Sequence, residues 1–408
     1  MIVLAGADVV LPDRILPGGS VTIEGDRIAE ITAGSTHPPA SARVMSLSGT
    51  FLLPGFIDVH VHGLAGTDVL DGPGALATVA TRMPHHGVTA FCPTSVACAP
   101  DALDMLLGAV AAAREAGPRG GARVLPAHLE SNFINPDWNG AQPLECLREF
   151  NVRRSTIKVG GGAFAGDEIM RVIAAHRRQV AIVTVAPEIA GGMDLVPVLR
   201  EAGHIVSIGH SGATYAEARA AIAAGVTHAT HLFNRMSPFT HREPGVVGAV
   251  LESSDAAAEI ICDGAHVHPS AVRLALALKG QDRVMAITDG TAGAGLPVGS
   301  RTRLGGRPIV VTSRAAELDD GTLAGSTQTM DGAYRMLVQQ CGLSPVTAAR
   351  LCSTTPADRL GLLDHGRIAE GAVADLTVLD RRLQVVQTFI GGVPALEQEA
   401  EAHRLFRS

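Results

Sequence analysis

The sequence predicts an α/β fold: a (β/α)8 barrel of the TIM type that carries a small β-sandwich domain built from both chain termini. Three observations point there. The middle of the chain repeats short β-like apolar runs, eight in all, mostly separated by Ala-rich helical stretches. Both ends instead alternate short β-like runs with turns. The length of 408 residues, 46% of them hydrophobic, suits a large barrel plus an accessory module better than one small domain. An open doubly wound sheet is the rival fold, and no G-x-G-x-x-G follows the first barrel strand to support it.

Taken in order, "SVTIEGDRIAEI" reads as a hairpin turning at Gly25-Asp26. "GRIAEGAVADLTVLD" and "LQVVQTFIGG" near the other end look alike. Neither end can bury both faces of a sheet alone. Residues 1–53 and 356–408 are therefore expected to form one β domain, with the barrel, residues 54–355, inserted between them. The barrel strands are "GFIDVHVH", "GVTAFCPTS", "RVLPAHLES", "VAIVTVAPE", "HIVSIGHS", "VTHATHLFN", "AEIICDG" and "RVMAITDG". The helical stretches "DALDMLLGAVAAAREAG" and "TYAEARAAIAAG" each close on a glycine, as a helix C-terminus favours. Residues 151–170 are more than a strand-to-helix link needs and read as an extra turn or loop.

Composition narrows the function. The net charge is −7, charged residues are 18%, and Lys158 and Lys279 are the only lysines. No basic stripe exists to meet a nucleic acid. No apolar run approaches the ~18 residues needed to span a bilayer. The six cysteines are scattered without a C-x-x-C pair and read as reduced thiols. The first residues carry no charged segment and cleavage site of a signal peptide, so a cytoplasmic location is expected.

The strand ends carry the chemistry. His60 and His62 alternate along the first strand and share one face. Glu130 closes the third strand, His210 the fifth, His231 the sixth and Asp289 the eighth. In a barrel these ends meet on one face, where active sites sit. Imidazole nitrogen with carboxylate oxygen, and no thiolate, suits one or two divalent ions: zinc first, with iron, manganese or cobalt also suited. Glu130 is placed to bridge two ions, one held by His60, His62 and Asp289, the other by His210 and His231. Such ions would activate a shared water near neutral pH. His128, two residues before Glu130, reads as a partner to the ligands. His228 reads as structural and turned away from His231, and His85 and His86 read as surface residues at the far end. Glu188 is either a partner to the site or structural, and Trp138 lines a pocket or packs its loop.

These motifs resemble the N-acetylglucosamine-6-phosphate deacetylase family of the amidohydrolase superfamily, nearly end to end. The resemblance rests on "PGFIDVHVHG", "HLE" then "FINP", "TVAPE", "SIGHSGATYAEA", "THLFNRMSPFTHREPG", "DGAHVHP", "ITDGTAGAG" and "LAGSTQTMDGA". It implies hydrolysis of the acetamide of an amino-sugar phosphate to acetate and free amine. It implies that Glu130, His210 and His231 hold the main metal, that His60 and His62 keep a second position, and that Asp289 is the catalytic acid–base. Asn234 and Arg235 match the sugar-contacting pair. Arg242 and His266 match the phosphate-holding pair, the arginine crossing a dimer interface, so a homodimer is implied. No carboxylated lysine is needed, and the fourth strand carries none.

The chain departs from the family at one stretch. Ser131 and Asn132 replace Gly and Pro, and Gln142 stands where a histidine that bonds the substrate's acyl carbonyl belongs. A glutamine amide there donates only a neutral hydrogen bond, about half as strong as a charged one. The expected substrate is N-acetylglucosamine 6-phosphate. The alternative is another N-acyl amino sugar, a galactosamine epimer or an unphosphorylated one. A scaffold without catalysis should have lost ligands, and all six candidates are kept.

Overall fold

A computed structural model of the chain describes residues 1–34, 41–118, 120–151 and 164–396. Eight parallel strands form the barrel: Phe56–Val61, Val88–Ser95, Ala127–Leu129, Val180–Val185, Ile205–Ile208, Val226–Ala229, Ala257–Ile261 and Val284–Ile287. Phe56–Val61 and Val88–Ser95 are buried throughout, as strands covered on both faces must be. Helices Pro100–Ala116 and Tyr215–Ala224 end at Gly117 and Gly225. Thr214 and Glu217 form a capping box at the start of the second. Of the unplaced stretch 151–170, residues 152–163 lie outside the described residues, and Gly166–Ala175 is a helix.

The barrel closes by a few bonds at one seam. Strand eight meets strand one through His62 N–H donating to the Gly290 carbonyl at 2.8 Å and Asp289 N–H donating to the His60 carbonyl at 3.0 Å. Thr288 Oγ1 donates to the buried Asp58 carboxylate beside them. The lower interior is packed by Ile57, Val59, Cys92, Ile182, Met285 and Ile287. The helix Thr355–Arg359 and its continuation close this end, with Ala357, Leu360 and Leu362 on the same cluster.

The chain's two ends share one eight-stranded sheet. Ile2–Val10 pairs with Ile15–Glu24, which turns at Gly25-Asp26 into Arg27–Thr32. Leu376–Leu379 runs antiparallel to Phe51–Pro54, with Leu376 opposite Pro54. Its core mixes both ends: Leu4, Val21, Ile23 and Leu52 from one, Leu376 and Phe389 from the other. Arg123, just before the third barrel strand, reaches across to this sheet, its Nε 2.8 Å from Asp375 Oδ2.

One element was not expected. After strand eight, Arg301–Leu304, Arg307–Val311 and Ala316–Glu317 form a three-stranded antiparallel sheet. Its first turn is Gly305-Gly306, with φ of 54° and 85°, the signature of a tight two-residue hairpin. Leu304, Ile309 and Ala316 pack on Val96, so this small sheet leans over the mouth of the barrel.

Asp375 also accepts the Gly391 N–H at 2.6 Å. Removing its carboxylate leaves that half-buried donor and the Arg123 guanidinium unmatched. Asp375→Ala should therefore lower stability by roughly 1–3 kcal/mol, read as a shifted denaturant midpoint.

Candidate metal centre

The expected side chains reach one place only because the backbone departs from regular strand geometry. On the first strand Asp58 pairs with Phe91 but Val61 with Pro93, so one extra residue is taken up between them. This bulge lets Val59 join the inner apolar cluster while His60 and His62 face the barrel's upper interior. Gly209 and Thr230 already face inward: a Cβ on Gly209 would lie 2.8 Å from Thr230 Cβ. Simple alternation would then send His210 and His231 outward. Both take left-handed backbone, φ 47° and 33°, and turn back inside; Asp289 has φ 49°. Such conformations cost non-glycine residues of order 1–3 kcal/mol each.

The rings are aimed from behind. His62 Nδ1 donates to the Thr94 carbonyl at 3.0 Å and His210 Nδ1 to the Trp138 carbonyl at 2.8 Å. His60 Nδ1 lies 3.0 Å from Glu259 Oε2. Each of these rings presents Nε2 to the centre, the arrangement that orients metal-binding histidines. Glu130 Oε1 lies 2.8 Å from His210 Nε2 and 2.7 Å from His231 Nε2, and those nitrogens are 3.1 Å apart. Asp289 Oδ1 lies 3.3 Å from His60 Nε2 and 3.2 Å from His62 Nε2. Glu130 Oε2 is 3.4 Å from His62 Nε2, so this carboxylate touches both groups.

Two buried trios, His60-His62-Asp289 and Glu130-His210-His231, thus have the donor types and convergence to bind a metal ion. A third trio, His60-His128-Glu259, reuses His60, and its His128 is spent on the Val59 carbonyl and Thr184 Oγ1.

The cluster's charges hold one another. Burial would raise Glu130, but the His210 charge and hydrogen bonds from His210, His231 and His62 keep it well below the usual carboxylate range. Asp289 is lowered likewise, burial being overcome by His60 and His62. Burial would lower His62, but hydrogen bonds and charge from Asp289 and Glu130 push it up to about 10. His60, deeper, is brought down to about 4 by burial despite both carboxylates.

A cavity of about 430 Å³ opens above the cluster. His62, Glu130, Gln142, His210, His231, Asn234, Arg235, His266 and Asp289 all line it. His60 lies beneath, fully buried. Asn234 Nδ2 donates to the His231 carbonyl at 3.2 Å, and Arg235 packs beside Gly140. His266 is braced by Asp263, whose Oδ2 is 2.6 Å from its Nδ1. Arg242 is exposed and does not line its own chain's cavity. Trp138 both lines the cavity and packs against Gly212. Glu188 ties two loops together, accepting from Asn135 Nδ2, Ser211 Oγ and Gly212 N–H. His85 is exposed; His86 is half-buried, 3.2 Å from Asp331.

One facing is corrected. His228 is not on the face opposite His231; like His231, it points into the barrel. It pairs in register with Ser207, whose hydroxyl bonds Thr230 inside, and with Ala257 of the inner cluster. The left-handed turn at His231 breaks the alternation on which the opposite facing rested.

Glu259 and Asp263 were missed. The signal for Glu259 was a charged residue in the strand "AAEII", since a carboxyl in a fully buried strand needs a partner. Asp263 lies three residues before His266, close enough for a local brace.

A model of the amidohydrolase family matches residues 51–395. An N-acetylglucosamine-6-phosphate deacetylase of Bacillus subtilis (strain 168) is 32% identical over 400 residues, 96% of this chain and 97% of that protein. An N-acetylgalactosamine-6-phosphate deacetylase of Escherichia coli O157:H7 is 34% identical over 370 residues, 90% of this chain and 93% of that protein. The solved structure of a mutant N-acetyl-D-glucosamine-6-phosphate deacetylase of Mycobacterium smegmatis, in complex with N-acetyl-D-glucosamine-6-phosphate, superposes with a TM-score of 0.86 at 32% identity, covering 97% of this chain and 99% of that one. The chain belongs to the N-acetylglucosamine-6-phosphate deacetylase family, within the amidohydrolases.

Proposed function

We propose that this chain is a hydrolase that converts N-acetylglucosamine 6-phosphate to glucosamine 6-phosphate and acetate. One observation carries the reading: an ionised aspartate, a buried histidine–carboxylate cluster and the braced His266 all face one cavity.

Glu130, His210 and His231 would hold the main divalent ion, and His60, His62 and Asp289 a second. Zinc suits this set first, and iron, manganese or cobalt suit it too. A bound ion of this kind lowers the pKa of water toward about 7 and polarises a carbonyl. Asp289, held ionised, starts as the base. It takes a proton from the attacking water as the oxygen adds to the acyl carbon. It then gives that proton to the sugar nitrogen as the C–N bond breaks, leaving acetate and the amine. General acid–base help of this kind is worth about 10²–10⁴-fold.

Asn234 and Arg235 would contact the sugar, and His266 the phosphate. Arg242, a guanidinium suited to two phosphate oxygens, would come from a second copy of the chain. Its exposed position outside its own cavity supports that homodimer. The buried thiols Cys92, Cys98, Cys262, Cys341 and Cys352 fit a cytoplasmic, reducing location. Among the described residues no helix is long and apolar enough to cross a membrane. The galactosamine epimer is the second reading, favoured by the 34% identical relative named for it.

The ion-loaded protein should release acetate fastest from N-acetylglucosamine 6-phosphate in a panel with the galactosamine epimer and both unphosphorylated sugars. No turnover on any member would refute the reading. Asp289→Asn should lower kcat by about 10²–10⁴-fold while the main ion is retained, measured by elemental analysis. Equal loss of metal and rate would make Asp289 chiefly a ligand. Because His62 holds a proton up to about pH 10 without an ion, binding must displace that proton. Ion affinity should therefore strengthen as pH rises from 6 toward 9. Titration calorimetry in buffers of different ionisation enthalpy would detect the released protons.

A further inference from the structure

We propose that Gln142 is a positioning residue that orients the Glu130 carboxylate, and that holding the substrate's acyl group is not its main task. The inference rests on the reading that Glu130, His210 and His231 hold a divalent ion.

The backbone at Gln142 is pinned from two sides. Its N–H donates to the Asn139 carbonyl at 3.0 Å, and its carbonyl accepts from Asn139 Nδ2 at 3.0 Å. Arg307, on the three-stranded sheet above the mouth, donates to the neighbouring Ala141 carbonyl at 2.8 Å. The side chain is 3% exposed. Its Oε1 accepts the Ala97 N–H at 2.7 Å, just beyond the end of the second barrel strand.

That contact decides the amide's orientation. An amide can be turned over without changing its shape, but its NH2 cannot accept from Ala97. Only one orientation satisfies the buried backbone donor, and it aims Nε2 at Glu130. Nε2 donates to Glu130 Oε2, while Oε1 of the same carboxylate faces His210 and His231. The last torsion of a glutamate is broad and roughly two-fold, so the carboxylate plane is not set by its own chain. A rigid donor on one oxygen sets it and leaves the other to the ion. With its oxygen held by Ala97 and its nitrogen by Glu130, the Gln142 amide is committed to the carboxylate.

The test measures ion affinity without substrate. Zinc dissociation constants would be taken by competition with a chromophoric chelator for the wild type, Gln142→Met and Gln142→Asn. Methionine keeps the volume and removes the donor; asparagine keeps the amide but is one methylene short of spanning Ala97 and Glu130. Both should bind zinc about 10–100-fold more weakly, as losses behind metal ligands do. At saturating zinc, KM should change less than about threefold. Melting of the metal-free proteins shows which variant is folded at the assay temperature, and the folded one decides. Unchanged zinc affinity with a collapsed kcat/KM would overturn the inference and make Gln142 a substrate contact. Weaker zinc binding in a protein that turns over no amino sugar would support the inference while sinking the substrate reading.

Discussion

One buried carboxylate organises the centre of this molecule. Glu130 is 3% exposed, and its oxygens lie within hydrogen-bond distance or close to it of His62, His210 and His231 and of the Gln142 amide. An ionised carboxylate cannot stay buried without such partners. The partners come from strands one, five and six and from the loop after strand three, so satisfying this one charge draws four separate stretches of chain together. The same crowding of imidazoles around two carboxylates gives a divalent ion a ready set of donors.

The cost of that convergence is visible in the backbone. A bulge in the first strand and left-handed residues at His210, His231 and Asp289 aim side chains where regular strands would not. Strain of this kind persists only where the surroundings over-determine it. Here the surroundings are the apolar cluster beneath, the seam bonds between strands one and eight, and the Asn135–Glu188–Ser211 tie across two loops. Two residues of this cluster, His62 and Asp289, also donate the backbone bonds that close the barrel. Closure and site geometry are therefore one structure.

The outer parts serve that centre in simpler ways. The two-ended sheet buries its own core and is tied to the barrel through Arg123 and Asp375. The three-stranded sheet after strand eight contributes Leu304 to the cavity wall and, through Arg307, steadies the loop that carries Gln142.

Much of this was legible in the chain itself. The eight apolar runs, the glycines after the helices, the hairpin at Gly25-Asp26 and the metal-competent residues at strand ends are local patterns, and local patterns survive without coordinates. The sheet at residues 301–317 has a local signal too, the Gly305-Gly306 turn. Which way His228 faces, that Glu259 stands behind His60, and that Gln142 meets Glu130 were decided only by the tertiary structure. The reason is geometric. Alternation predicts facing while a strand stays regular, and a bulge or a left-handed residue resets it. The contact of His60 with Glu259, 199 positions apart, depends on how the barrel strands are arranged, and that of Gln142 with Glu130 on how an irregular loop turns back, neither of which a repeating pattern encodes.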